Sequence, residues 1–376
     1  MRALLYSLCL IITLTLSTSR GGGKCDFQAM FNFGDSNSDT GGRSAALMEI
    51  GSPNGETFFH HPSGRGCDGR LVIDFIAEEL KLPHLDAYLD SLGTSFRHGA
   101  NFATGGSSVR VGGYSPFHLG IQINQFLRFK SFVTRIHNHL NHTGLKMGHI
   151  AEYLPRLEDF STGLYTIDIG QNDLAYGFEH TNEKLVVKSM PDILHQYSKA
   201  ILALYKEGAR YFWVHNTGPI GCLPYSVIYD HHKPGNLDKH GCVRTQNNVA
   251  KEFNRQLKAK LTQISEKLPR IVFTYVDVYT SKYNLIKQAR KLGFGDPMKF
   301  CCGSYYGYHI NCGEKPIKVN GTVYGNPCED PSKVISWDGI HYSQSANILI
   351  AKQILNGSLS DPPRPVYEAC RVHNNI

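Results

Sequence analysis

The sequence predicts a doubly wound α/β fold, a mostly parallel sheet with helices on both faces. Three observations carry that expectation. Short apolar runs end abruptly in clusters of Gly, Asp, Ser or Asn. Longer segments with helical spacing separate those runs. Of 376 residues, 41% are apolar and only 19% charged, enough apolar mass for a large buried core. Strands that alternate with helices build a parallel sheet covered on both sides. Ligands of such sheets bind beyond the carboxyl ends of the strands, where the polar clusters fall.

Taken in order, Ala29 to Phe33 is a buried strand running into Gly34-Asp35-Ser36. Leu71 to Leu82 has helical spacing, with Leu71, Phe75, Ile76 and Leu80 on one side, and Pro83 stops it. Leu164 to Ile169 is a second strand, ending in Gly170-Gln171-Asn172-Asp173. Glu183 to Lys206 is helical, with a kink expected at Pro191. Tyr211 to Val214 is a strand that runs into His215-Asn216-Thr217-Gly218-Pro219. Val243 to Leu268 is a long amphipathic helix, Ile271 to Val278 a further strand, and Ser343 to Leu355 a last helix capped by Ser343. Residues 292 to 332, rich in Gly, Cys, Tyr and Pro, form a disulfide-stapled insertion.

The amino terminus predicts export. Arg2 precedes a mostly apolar run from Ala3 to Leu16, and Ser17, Thr18 and Ser19 offer a cleavage site, so residues 1–19 are expected to be a signal peptide. The run is too short for a membrane span, which needs about 20 residues, and no later segment has 18 consecutive apolar residues. Nine of the ten cysteines remain once Cys9 leaves with the leader, and none sits in a C-x-x-C pair. Disulfides in an oxidising compartment are expected, with at least one thiol left over. Cys222 and Cys242 are placed to close a loop worth about 3 kcal/mol. Of the adjacent Cys301 and Cys302, at most one is expected to bridge to Cys312 or Cys328. Sequons at Asn141, Asn320 and Asn356 are expected glycan sites. The formal charge of +7 comes from scattered Lys and Arg with no run of five. That favours a solvated surface over nucleic-acid binding. Weak attraction to acidic polysaccharide is compatible with it.

The chemistry is expected at the strand ends. Ser36 follows a strand, so its hydroxyl and its own backbone N–H can meet one ligand atom. The elbow G-x-S-x-G is absent, because Ser38 stands at the final Gly position. A serine nucleophile needs a base, and the base an orienting group. Asp338 and His341, three apart in Ser336-Trp337-Asp338-Gly339-Ile340-His341, let one turn join carboxylate and imidazole. Acyl transfer also needs donors for the developing oxyanion. Gly105-Gly106 offers close backbone N–H groups, and Asn172 a side-chain amide.

These four segments, in this order, resemble the SGNH hydrolase superfamily and specifically the plant-type GDSL esterase/lipases. The resemblance runs from about Phe27 to about Asn356 and includes Gly208-Ala209-Arg210, Asn216 to Pro224, and Phe300-Cys301-Cys302-Gly303. Its flavour is similar to the early-nodulin-type and acetyl-esterase-like branch. The resemblance implies a flavodoxin-like SGNH hydrolase domain over 20–376, with Ser36 as nucleophile, His341 as general base and Asp338 as its partner. Ser36, Gly106 and Asn172 would form the oxyanion hole, with Gly105 an alternative to Gly106. It implies a secreted, extracellular or wall-bound serine esterase without metal or cofactor, acting on short acyl or O-acetyl esters, carbohydrate esters included; a vacuolar destination fits as well.

Rival readings exist. H-E-x-x-H is absent, and His137, His139, His142 and His149 lie in a polar stretch expected to be a solvated loop rather than a metal site. Asp35, Asp39, Asp168 and Asp173 all lie near strand ends and provide candidates for a glycosidase pair on wall sugars, which requires two carboxyls about 5 Å apart. A catalytically silent binding protein is the other alternative. Tyr305, Tyr306 and Tyr308 near the Cys-rich insertion are candidates for sugar stacking. The sequence does not fix the oligomeric state.

Overall fold

The computed structural model describes residues 24–90, 92–143, 148–229, 235–305 and 308–371, with backbone alone at 141–143 and 148. The expected leader 1–19, Tyr306 and the side chains of Asn141 and His142 lie outside the described residues. Five strands, β1 (Met30–Gly34), β2 (Gly99–Asn101), β3 (Leu164–Asp168), β4 (Tyr211–His215) and β5 (Val272–Val276), run parallel in the order β2-β1-β3-β4-β5. A separate hairpin pairs β6 (Ile317–Val319) with β7 (Thr322–Tyr324), and β8 (Ser360–Asp361) closes the main sheet antiparallel to β5. This is the expected doubly wound α/β layout. From β1 the chain steps outward to the edge strand β2, then returns to β3 on the other side. That reversal opens a crevice at the carboxyl ends of β1 and β3.

Among the described residues, eleven α-helices accompany the sheet. In chain order they are α1 (Gly42–Ala46), α2 (Val72–Glu79), α3 (Leu119–Thr143), α4 (Gly148–Glu152), α5 (Asp159–Thr162) and α6 (Gln171–His180). Then follow α7 (Glu183–Lys206), α8 (Pro224–Tyr229), α9 (Arg244–Ser265), α10 (Val278–Lys287) and α11 (Gln344–Leu355). Helix α7 packs against both α3 and α9, and α11 against both α2 and α10. The stripe Val186, Met190, Ile193, Leu194, Tyr197, Ile201 and Leu204 buries α7, and it holds the helix unbroken through Pro191. On β1 the rings of Phe31 and Phe33 meet Phe126 of α3 at centroid distances of 5.5 and 5.7 Å.

Two expectations change. The His137 stretch is not a loop: α3 continues through it to Thr143, and the His137 ring lies 3.0 Å from the Pro155 carbonyl. The buried side chains Leu119, Ile123, Phe126 and Val133 supply the apolar stripe that carries the Asn- and His-rich end along. Both adjacent cysteines are bridged, Cys301 to Cys328 and Cys302 to Cys312. The chain bends at both residues, and their side chains reach different partners within the insertion. Cys222–Cys242 forms as expected, Cys25–Cys370 ties the two ends together, and Cys67 is the leftover thiol, buried.

Candidate active site

A cavity of about 830 Å³ opens at the crevice, and Ser36, Gly106, Asn172, Asp338 and His341 all line it. Ser36 sits just past β1 on a turn that the sheet holds from below. The Asn32 amide donates to Ser38 Oγ at 3.0 Å and to Asn101 Oδ1 at 2.7 Å, and Asn101 donates to the Ser38 carbonyl at 2.6 Å. Gln122 of α3 exchanges hydrogen bonds with both backbone groups of Gly34, at 2.9 and 2.8 Å. Only glycine fits at Gly34, because a Cβ there would lie 2.4 Å from Ser38 Oγ and 2.6 Å from the Asp168 carbonyl.

Asp338 and His341 meet as their spacing predicts. Asp338 Oδ1 accepts from the Ile340 and His341 backbone N–H groups at 3.0 and 2.7 Å, while Oδ2 lies 2.6 Å from His341 Nδ1. Burial pushes the Asp338 carboxyl up, but the His341 imidazole and these hydrogen bonds outweigh it, leaving it below the usual range. Burial lowers His341, and the Asp338 charge and hydrogen bond overcome that, so its pKa lies above the ordinary value. The loop carrying the pair is pinned by the Cys-rich insertion: the Cys301 and Cys302 N–H groups both donate to the Trp337 carbonyl, at 2.8 and 2.7 Å. Gly339 turns the loop at φ 92°, where a Cβ would come within 2.6 Å of the Tyr305 ring. Two residues past His341, Ser343 caps α11 by accepting from Ala346 N–H.

The donor side is equally constrained. Asp39 accepts from the N–H groups of Gly41, Gly42, Arg43 and Gly105, the last at 2.7 Å. The Gly105 N–H is thereby spent, whereas the Gly106 N–H has no hydrogen-bond partner among the described residues. Gly106 adopts φ 80°, which favours glycine. Asn172 donates one amide hydrogen to the Ser107 carbonyl at 2.9 Å, which leaves its second for a ligand. Asp173 ties this loop to α6 by accepting from Val109 and Arg110 N–H at 2.7 and 3.2 Å, and burial raises its pKa to about 6. The Ser36 N–H is likewise unpaired among the described residues.

A second Asp–His pair lies behind the site. His215 Nδ1 is 3.0 Å from Asp168 Oδ2, but its Nε2 accepts from Trp213 Nε1 at 3.2 Å. Both ring nitrogens are engaged, and neither residue lines the cavity, so this imidazole has no lone pair to offer a substrate. His341 has only Nδ1 engaged and leaves Nε2 open. Of the other acids considered, Asp35 is buried beneath Ser36, where burial and then the Asp168 charge push its pKa to about 7. Asp35, Asp168 and Asp173 do not line the cavity, and Asp39 is fully engaged with backbone. Tyr305 lines the cavity together with Tyr225 and Tyr229, which sequence reading passed over; Tyr308 instead packs on Tyr324. Asn32, Asn101 and Gln122 were also missed, since isolated polar residues within apolar segments carry no motif.

A model of the GDSL-like lipase/acylhydrolase family matches residues 30–354, from the first residue of β1 into the last turn of α11. The chain belongs to that family. Every cavity residue named above falls inside the match. Among relatives of this GDSL chain is GDSL esterase/lipase At3g27950 of Arabidopsis thaliana, 50% identical over 366 residues, or 96% of each chain. GDSL esterase/lipase ACHE of Zea mays is 48% identical, covering 94% of this chain and 91% of its own. A protein named alpha-L-fucosidase 3, also of Arabidopsis thaliana, is 45% identical over 94% of this chain and 96% of its own. Like its family, the protein is a serine-type carboxylic ester hydrolase. No helix among the described residues is long and apolar enough to cross a membrane.

Proposed function

We propose that Ser36 is the nucleophile, His341 the general base and Asp338 its orienting partner, and that Ser36 N–H, Gly106 N–H and Asn172 Nδ2 bind the oxyanion. The observation that carries this reading is the 2.6 Å Asp338–His341 contact, with Nε2 left open in the same cavity as Ser36. His341 takes the Ser36 proton as the hydroxyl attacks the ester carbonyl. Charge on the carbonyl oxygen falls to three donors that make no other use of those hydrogens. The imidazolium returns its proton to the leaving alcohol, and water repeats the cycle on the acyl-enzyme.

The favoured substrates are short acyl or O-acetyl esters, carbohydrate esters included. The wall of Tyr225, Tyr229 and Tyr305 supports that preference, since aromatic faces stack on sugar rings. A glycosidase reading draws on the relative named a fucosidase; against it, none of Asp35, Asp39, Asp168 and Asp173 has a carboxylate free in the cavity. Export to the extracellular space or wall follows from the expected leader at 1–19 and four disulfides among the described residues. Residues 20–376 are read as one hydrolase domain. Asn320 and Asn356 are exposed and suited to glycans. Turnover of p-nitrophenyl acetate over the palmitate, fluorophosphonate labelling at Ser36, and loss of about 10⁴-fold in Ser36→Ala are expected. A Ser36→Ala protein retaining more than about a tenth of wild-type turnover would sink the assignment.

A further inference from the structure

Arg43 is a cation in the cavity wall that the reaction as derived does not use. It stands in α1 directly after the Ser36 turn, is half-buried, and lines the same cavity as Ser36, Gly106 and His341. Its guanidinium carries five N–H donors. Among the described residues its one side-chain hydrogen bond is long, from Nη1 to the Gly105 carbonyl at 3.5 Å. No carboxylate lies within ion-pair distance of it among those residues. The acid best placed to neutralise it, Asp39, spends its oxygens on four backbone N–H groups, one of them Arg43's own.

Two more observations place the charge beside the reacting atoms. A Cβ built on Gly106 would lie 3.5 Å from Arg43 Nη1, so the guanidinium borders the proposed oxyanion donor. Its charge also acts on His341, where it opposes protonation. The other acids of the cavity wall make no ion pair with Arg43 among the described residues and are engaged elsewhere, Asp338 by His341. Glu179 is seven residues past Asn172 on α6, about 10 Å along the helix, and accepts from the Tyr225 hydroxyl at 3.2 Å. Glu183 accepts from Thr245 at 3.1 Å.

We propose that Arg43 is a specificity-determining residue that binds a carboxylate of the substrate, so that the esterase prefers esters carrying an acid group near the scissile bond. A planar fork of donors matches a carboxylate bidentately, and its weak hydration makes desolvation in a cavity less costly than for Lys. The net charge of +7 draws such anions toward the molecule. The proposal rests on the serine-esterase reading. The acid group can belong to the acyl part or to the alcohol part, as in a uronate sugar, and the two sources are separable.

The test compares kcat/KM for matched pairs. Mono-p-nitrophenyl succinate against its methyl ester probes the acyl side. An O-acetylated oligogalacturonide against its methyl-esterified form probes the alcohol side. Wild type is expected to favour the free acid in at least one pair. Arg43→Gln is expected to reduce that acid-to-neutral ratio by about 10- to 100-fold, and Arg43→Lys to restore part of it. No acid preference in either wild-type pair would overturn the proposal. So would an Arg43→Gln ratio equal to that of wild type, which would mean that Arg43 acts on the oxyanion or the fold. Wild type alone decides the first point, so poor folding of the variant leaves the proposal refutable. If wild type turned over none of the four esters and took no fluorophosphonate label, the esterase reading itself would fail before any ratio is formed.

Discussion

Replacing Asp338 with asparagine removes one charge and swaps one atom, yet the geometry predicts near-complete loss of turnover. In the wild type, Oδ1 accepts from two backbone N–H groups and Oδ2 faces His341 Nδ1 at 2.6 Å. The backbone donors will hold the asparagine oxygen at the Oδ1 position. The amide nitrogen then occupies the place of Oδ2 and presents a hydrogen to Nδ1. Two N–H groups cannot face each other, so the imidazole proton moves to Nε2, and the nitrogen left open in the cavity can no longer accept one. The expected fall in kcat is about 10⁴-fold, about 5 kcal/mol of barrier. The pH profile gives an independent sign. Asp338 raises the His341 pKa against its burial, so the wild-type rise of kcat/KM with pH should be centred above the ordinary histidine value of about 6.5. In Asp338→Asn the residual activity should rise at a lower pH than in wild type. The assay is p-nitrophenyl acetate hydrolysis from pH 5 to 9, with thermal melts to establish folding. A folded variant keeping more than about a tenth of kcat, or one whose limb moves upward, would refute the tautomer argument. The same linkage bears on stability: the charged His341 contributes fully below about pH 6.5, and that contribution fades as pH climbs through the raised folded pKa.

Asn172→Ala removes a proposed oxyanion donor and is expected to lower kcat about 10²- to 10³-fold with little change in KM; an unchanged kcat on the acetate ester would remove Asn172 from the reaction. Gly339→Ala forces a Cβ to within 2.6 Å of the Tyr305 ring at φ 92°, and should cost about 1–3 kcal/mol in a denaturant melt and lower turnover as the Asp338 loop shifts. A melt indistinguishable from wild type would show that the loop tolerates the side chain.

Much of this protein is local in origin and legible in its sequence. The buried strands β1, β3, β4 and β5 and the helices α7, α9 and α11 announce themselves by apolar period and by caps such as Ser343, which act within a few residues. Asp338 and His341 are three residues apart, so their contact needs one turn and no distant element. What tertiary structure decided depends on groups that meet from far along the chain. Strand β2 is three residues long and exists by pairing with β1. Helix α3 gains its Asn- and His-rich end from an apolar stripe that packs under the sheet, where weak propensity yields to burial. Between Gly105 and Gly106, the sequence offers no choice; Asp39, 66 residues away from Gly105, takes one N–H and leaves the other. Between the two Asp–His pairs, Trp213 decides by filling the second nitrogen of His215. Local periodicity fixes the elements, because it is a property of neighbours. Which donor, thiol or imidazole remains unspent is a balance of partners across the whole fold, and only the folded chain brings those partners within hydrogen-bond reach.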